Sequence, residues 1–186
     1  MALPTPSQTV GPFFNIGLPG ERPPGPAGPE TAGALRIAGV VYDGRSEPVP
    51  DALIELWQAN RAGRYAHPED DRVALPLEDG FRGFGRAETD EQGAFGFYTV
   101  KPGPVPAADG AMQAPHIAVS VFARGLLKRL ATRIYFPDED EANAADPVLS
   151  AVEAGRRATL IAREDGEQLR FDIRLQGDGE TVFFDV

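Results

Sequence analysis

The chain has 186 residues, 42% of them apolar, and a formal charge of −10, a length and composition that suit one core-bearing domain. That charge repels phosphate backbones and anionic lipid, so nucleic acid and membrane surfaces rank below a small molecule or a protein as partners. With no cysteine there is no disulfide, no thiolate nucleophile and no thiolate metal site, and a cytoplasmic, reducing setting is the expectation.

The first residues carry neither a basic leader nor a long apolar run, so no signal peptide or spanning helix is expected. Residues 1–34 read as an N-terminal arm and loop, because PGERPPGPAGPETAG offers almost no apolar side chain to bury. Within it TPSQTVGPFF differs: Val10, Phe13, Phe14 and Ile16 are too apolar for a solvated tail, and Gly11-Pro12 imposes a bend. That segment should lie on a core, its own or a neighbouring subunit's.

Residues 35–186 read as a single β domain. LRIAGVVYD and DALIELWQAN form strands around a turn at Gly44 to Pro50. In the second, Leu53, Glu55 and Trp57 share one face and Ile54, Leu56 and Gln58 the other, so Glu55 needs a wet edge or a partner. A charged, Pro-rich loop from Ala59 to Gly83 holds Tyr65 and His67. FGRAETD and AFGFYTV, joined at Asp90 to Gly93, read as a hairpin. His116 to Phe122 alternates, with Ile117, Val119 and Val121 facing a core and His116, Ala118, Ser120 and Phe122 opposite. Further strands are expected at Arg133 to Phe136, Ala158 to Glu164, Leu169 to Gln176 and Thr181 to Asp185, and short helical turns in EDEANAADPVLSAVEA. Eight or so short strands with no crossover helix predict an all-β, antiparallel β-sandwich.

Candidate chemistry centres on His116. Two histidines two residues apart on one strand project the same way about 7 Å apart and can share a metal, but Ala118 holds the second place. None of Ser7, Ser46, Ser120 and Ser150 lies in a nucleophile turn, and the carboxylates of DEDE at 138–141 are consecutive and fan outward. GDGE at 177–180 is a turn with no helix after it to bind phosphate.

The run TPSQTVGPFF, the pair DALIELWQAN and GRYAH, then FGRAETDEQGAFGFYTVKPGPVP, APHIAVSVFARG, TRIYFPDE and RFDIRLQGDGETVFFDV resemble the intradiol ring-cleaving dioxygenases. The resemblance implies a β-sandwich and, in catalytic chains, a non-haem ferric iron held by two Tyr and two His, where O2 opens a catecholic ring. Carried over, one Tyr ligand falls on Tyr65 and one His on His116, while Val105 and Ala118 occupy the other two places. Gln113 stands where catalytic chains have an assisting Arg, and Ala107 replaces a Trp. The resemblance therefore implies a non-catalytic subunit without metal, paired in a hetero-oligomer with a homologous iron-bearing chain. Thr9, Gly11, Pro12 and Arg124 match positions that approach the substrate pocket on that partner, where Arg124 could grip the carboxylate of an aromatic acid. Tyr65 and His116 are then expected to close the metal's space with a hydrogen bond, and His67 to be solvated. The alternative is a free-standing β-sandwich that carries a small aromatic ligand without catalysis; Val105 and Ala118 disfavour a self-sufficient iron enzyme.

Overall fold

Alternation of branched and small side chains organises the central strand. In the computed structural model, which describes residues 8–9, 11, 14–18 and 25–185 (15 and 16 by backbone alone), His116–Phe122 is a strand whose Ile117, Val119 and Val121 are buried. The elements in chain order are α1 (Phe14–Gly17), β1 (Leu35–Tyr42), β2 (Leu53–Trp57), β3 (Phe84–Glu88), β4 (Ala94–Thr99), β5 (Val105–Pro106), β6 (Met112–Gln113), β7 (His116–Phe122) and β8 (Leu130–Tyr135). Then follow α2 (Asp140–Ala145), α3 (Pro147–Ala151), a 3-10 helix (Ala154–Leu160), β9 (Arg163–Asp165), β10 (Gln168–Arg170) and β11 (Ile173–Arg174).

One sheet has the order β3-β2-β7-β8 and is antiparallel throughout, with Leu56 opposite Val119 and Ile117 opposite Ile134. The other is built on β1, which has antiparallel β4 on one side and, in succession on the other, β10 and β11 running parallel to it. The fold is thus antiparallel-rich, with a parallel pairing that the local pattern did not predict. Side chains of both sheets meet in one apolar cluster that includes Ile37, Phe97, Ile54, Leu56, Val119 and Ile134.

The expected hairpin of FGRAETD with AFGFYTV does not form: β3 pairs with β2, and β4 pairs with β1 in the other sheet. The turn itself is present, with the Asp90 carboxylate accepting from Gln92 and Ala94 N–H groups at 2.9 Å each. It carries the chain between sheets because Ala87 on β3 and Phe95 and Phe97 on β4 all belong to the shared core, which each strand reaches from its own sheet. Thr89 fixes the crossing: its hydroxyl donates to the Val49 carbonyl (2.9 Å) and accepts from the buried Ala52 N–H (2.8 Å). Thr89→Val keeps the shape and strands that N–H, so the expected loss is about 1–3 kcal/mol, read as a drop of a few degrees in Tm. A Tm unchanged within error would show that the hydroxyl does not hold the crossing.

Three other expectations change. Ala158 to Leu160 lies in the 3-10 helix, because Leu160 is buried with Leu149, Tyr135 and Ala114 in a second cluster instead of entering a ladder. Thr181 to Asp185 makes only an isolated bridge, Phe184 to Ala131, while Val182 and Phe184 pack on that second cluster. The end of the Gly/Pro-rich loop is not idle either: Gly25 to Gly28 are buried, and Ala27 packs with Phe81 and Val100. Small residues allow this, since a Cβ on Gly25 would meet the Tyr98 carbonyl oxygen at 2.2 Å. The two short helices fall as expected within EDEANAADPVLSAVEA.

Candidate functional site

The outward face of the β2–β7–β8 sheet carries the residues of interest in rows. Register places Ala118 between Trp57 and Arg133, and Ser120 between Glu55 and Ala131. Glu55 finds its partner one strand away, with its carboxylate 2.7 Å from the Arg86 guanidinium. A cleft of about 710 Å³ lies over this face, lined by Trp57, Ala118, Ser120, Arg129, Arg133 and Phe184 among others. An adjoining groove of about 740 Å³, which shares Val148 and Phe184 with this cleft and is bordered also by Pro147 and Val152, contains Ala107 of the ligand-set and pocket positions singled out in the sequence.

His116 is 7% exposed, and its Nδ1 lies 2.8 Å from the Ala114 carbonyl oxygen. A carbonyl only accepts, so Nδ1 carries the hydrogen and Nε2 keeps the lone pair, the tautomer that suits a metal ligand. Burial, assisted by the Arg133 charge, pushes the imidazole down to about 4, so the ring is neutral near pH 7. Ala114 is fixed in turn by its N–H to the fully buried Asp146 carboxylate (2.8 Å), which also accepts from Val148 N–H, Leu149 N–H and the Tyr135 hydroxyl.

Tyr65 is held differently. Its ring stacks on Trp57 with centroids 5.6 Å apart, and its N–H donates to Asp70 (2.7 Å), whose carboxyl the Arg72 guanidinium keeps well below the usual range. Burial raises the Tyr65 phenol. The expected closing hydrogen bond belongs to His116 alone and goes to backbone; the Tyr65 hydroxyl bonds to no described residue. His67 is exposed, meets Trp57 edge-on, and its Nδ1 accepts from the Glu69 N–H (3.3 Å).

Of the two places without a donor, Val105 is buried in β5 opposite Gln113, and Ala118 faces the cleft. Arg133, which sequence reading placed only as a strand start, takes a central part. Its Nη1 donates to Gln113 Oε1 (2.8 Å) and to the Tyr135 hydroxyl (3.4 Å), and its charge acts on His116, Tyr65 and Tyr135 together. Period-two alternation in Thr132–Arg133–Ile134–Tyr135, with Thr132 and Ile134 inward, is the signal that could have found it. A ferric ion prefers anionic oxygen donors and three or four ligands. One neutral imidazole, one phenol, two apolar positions and a neighbouring guanidinium do not fit it. Among the described residues there is also no group of three His, Asp or Glu able to hold a metal.

The second set assembles at the far end of β7. The Thr9 hydroxyl accepts from the Gly125 N–H (2.9 Å) and, at 3.5 Å, from the Gly11 N–H. Arg124 adjoins Gly125, and its Nε lies 3.2 Å from Asp51 Oδ2. Thr9, Gly11 and Arg124 therefore share one place; Pro12 lies outside the described residues, as do Val10 and Phe13.

A family model described as Dioxygenase matches residues 25–177. The chain belongs to the intradiol dioxygenase family. It is similar to the protocatechuate 3,4-dioxygenase alpha chains of Pseudomonas putida, 46% identical over 97% of this chain and 96% of the relative, and of Burkholderia cepacia, 47% over 98% and 97%. The Burkholderia cepacia beta chain is 39% identical over 78% of this chain and 65% of its own length. Among solved structures, the dioxygenase domain of a carbohydrate-binding fusion from Streptomyces sp. SirexAA-E superposes with a TM-score of 0.56 at 27% identity, covering 94% of this chain and 99% of that one. Catechol 1,2-dioxygenase from Acinetobacter sp. ADP1 shares the fold, with a TM-score of 0.58 at 21% identity over 85% and 58% of the two chains. No described helix of this dioxygenase chain is long and apolar enough to cross a membrane.

Proposed function

We propose that this chain is the non-catalytic alpha subunit of a protocatechuate 3,4-dioxygenase, paired with a homologous beta chain that holds the ferric iron. On this reading the pair uses O2 to cleave protocatechuate between its two hydroxyl-bearing carbons, giving 3-carboxy-cis,cis-muconate in the β-ketoadipate pathway of aromatic catabolism, in the cytoplasm. The two sheets form a β-sandwich over residues 35–186, and residues 1–34 serve as the arm that reaches toward the shared pocket. Thr9, Gly11, Pro12 and Arg124 furnish part of that pocket's wall, and Arg124 supplies a cation for an acid that the overall charge of −10 disfavours.

The observation that carries the proposal is a ligand set cut in half inside an otherwise retained fold. Tyr65 and His116 remain, Val105 and Ala118 offer no donor, and the likeness to alpha chains runs end to end. The test is co-expression with a homologous beta chain and mass measurement under native conditions. The expected result is a stable hetero-oligomer, with an interface in the class of about 1,600 Å² or more. A monodisperse monomer at micromolar concentration, unchanged by the partner, would overturn it and favour a free-standing carrier.

A further inference from the structure

Arg124 is anchored by a residue that neither the sequence nor the comparisons single out. The ladder between β2 and β7 ends at Leu53 against Phe122, and Asp51 and Arg124 lie two residues beyond that end on the two chains. There the Asp51 side chain is 18% exposed and the Arg124 side chain 59% exposed, with Oδ2 3.2 Å from Nε. Asp51 also has φ +60°, a left-handed conformation that glycine adopts freely and a residue with a Cβ adopts at a cost. Its other oxygen, Oδ1, is buried and finds no hydrogen-bond donor. A strained backbone and an under-satisfied carboxylate together mark a side chain kept for something other than the stability of its turn.

A guanidinium offers two edges to carboxylates, one along Nε and one between the two terminal nitrogens. Asp51 lies against the first as an ion pair, 3.2 Å from Nε, without the alignment of a hydrogen bond. Among the described residues none accepts a hydrogen bond from Nη1 or Nη2 of Arg124, and no carboxylate besides Asp51 pairs with it, so the end-on edge is left for a ligand. We propose that Asp51 is a positioning residue for Arg124: it holds Nε so that the terminal nitrogens face the carboxylate of a catecholic acid bound in the pocket shared with the beta chain. The proposal rests on the substrate reading of the preceding subsection.

Asp51 acts on an anionic substrate in two opposing ways. Its own charge, about 7 Å behind the substrate carboxylate, weakens binding by about threefold in a water-like dielectric. Ordering a long, half-exposed side chain beforehand strengthens binding by about two- to twelvefold. Salt separates the two, because it screens the repulsion and leaves the ordering intact.

The experiment uses the assembled alpha–beta enzyme, with steady-state kinetics on protocatechuate and on catechol at low and high ionic strength. The variants are Asp51→Gly, which relaxes the backbone and removes the carboxylate, Asp51→Asn, which keeps the volume and tolerates the same backbone, Arg124→Ala, and the Asp51→Gly/Arg124→Ala pair. Arg124→Ala is expected to raise KM for protocatechuate about 10- to 100-fold, and less for catechol, which lacks the carboxylate. At high salt, where the repulsion is screened, Asp51→Gly and Asp51→Asn are expected to raise it about two- to twelvefold with kcat nearly constant; at low salt the lost repulsion offsets about threefold of this, so the ratio to wild type grows with salt. At high salt the double variant should match Arg124→Ala, since a positioner has nothing left to position; at low salt it should bind about threefold better, because only the repulsion is lost. If Arg124→Ala raises KM while at high salt both Asp51 variants leave it unchanged or lower it, Asp51 is not the positioner and the substrate reading stands. If Arg124→Ala changes neither substrate, the substrate reading of Arg124 fails and the proposal falls with it.

Discussion

Replacing Asp146 by alanine is expected to destabilise the fold by about 3–5 kcal/mol, from the loss of a helix cap together with buried donors left without an acceptor. Asp146 is fully buried, and its two oxygens serve four donors: Val148 N–H at 2.9 Å, Leu149 N–H at 2.7 Å, Ala114 N–H at 2.8 Å and the Tyr135 hydroxyl at 3.0 Å. The first two cap α3, where Pro147 opens the helix and carries no N–H of its own; loss of such a cap alone costs about 1–2 kcal/mol. The Ala114 N–H and the Tyr135 hydroxyl would then lie buried without an acceptor, at about 1–3 kcal/mol each if no water reaches them. At about 2–4 °C per kcal/mol for a chain of this size, the melting temperature should fall by roughly 6–20 °C. Asp146→Asn should cost about half as much, because its oxygen can still cap α3 while its NH2 opposes the Ala114 N–H. The local consequence is as informative as the global one, because Ala114 is the anchor of His116. A loss below about 1 kcal/mol for the alanine variant would show that water replaces the carboxylate and that the site is not braced through α3.

How much of this could be read from residues alone depends on how local each determinant is. The period-two pattern of β7 gave its limits and its three core residues, since alternation is a property of adjacent positions. The short helical turns in EDEANAADPVLSAVEA were likewise legible, though the Asp146 cap that starts the second was not singled out. Choice of strand partner is not local, so the turn at Asp90 to Gly93 was legible as a turn but not as a passage between sheets. The apolar run through Leu160 and the C-terminal Val182 and Phe184 looked like strands because burial was visible and the absence of a free ladder edge was not. At the site, Tyr65 and His116 were reached through resemblance, whereas Arg133 acts through register with Ala118, fifteen residues away, and Asp51 through an ion pair with Arg124. Thr9 meets Gly125 across 116 positions of sequence, a contact that no pattern within the arm encodes.

The donors missing at Val105 and Ala118 are not the whole obstacle to a metal in this chain, and restoring them is expected to be insufficient. Arg133 sits opposite Ala118 in the ladder, bonds Gln113 and Tyr135, and spreads its charge over His116 and Tyr65. A unit charge and a triply charged ion about 6–8 Å apart repel by about 6–8 kcal/mol at an effective dielectric of 20. That is enough to cancel much of what two added ligands contribute. Within the co-expressed pair, Val105→Tyr/Ala118→His is therefore expected to add little iron beyond the complement of the wild-type assembly. Adding Arg133→Gln, which keeps a hydrogen-bonding side chain and removes the charge, should raise iron by up to one equivalent per alpha chain. The increase should be visible as a gain in phenolate-to-iron absorption as well as in metal analysis, so the result does not depend on turnover. Stoichiometric extra iron in the double variant would show that Arg133 does not exclude the metal. A triple variant that assembles with wild-type circular dichroism yet gains no iron would show that positions 105 and 118 are not where the missing ligands belong, and the half-set reading of Tyr65 and His116 would have to be abandoned.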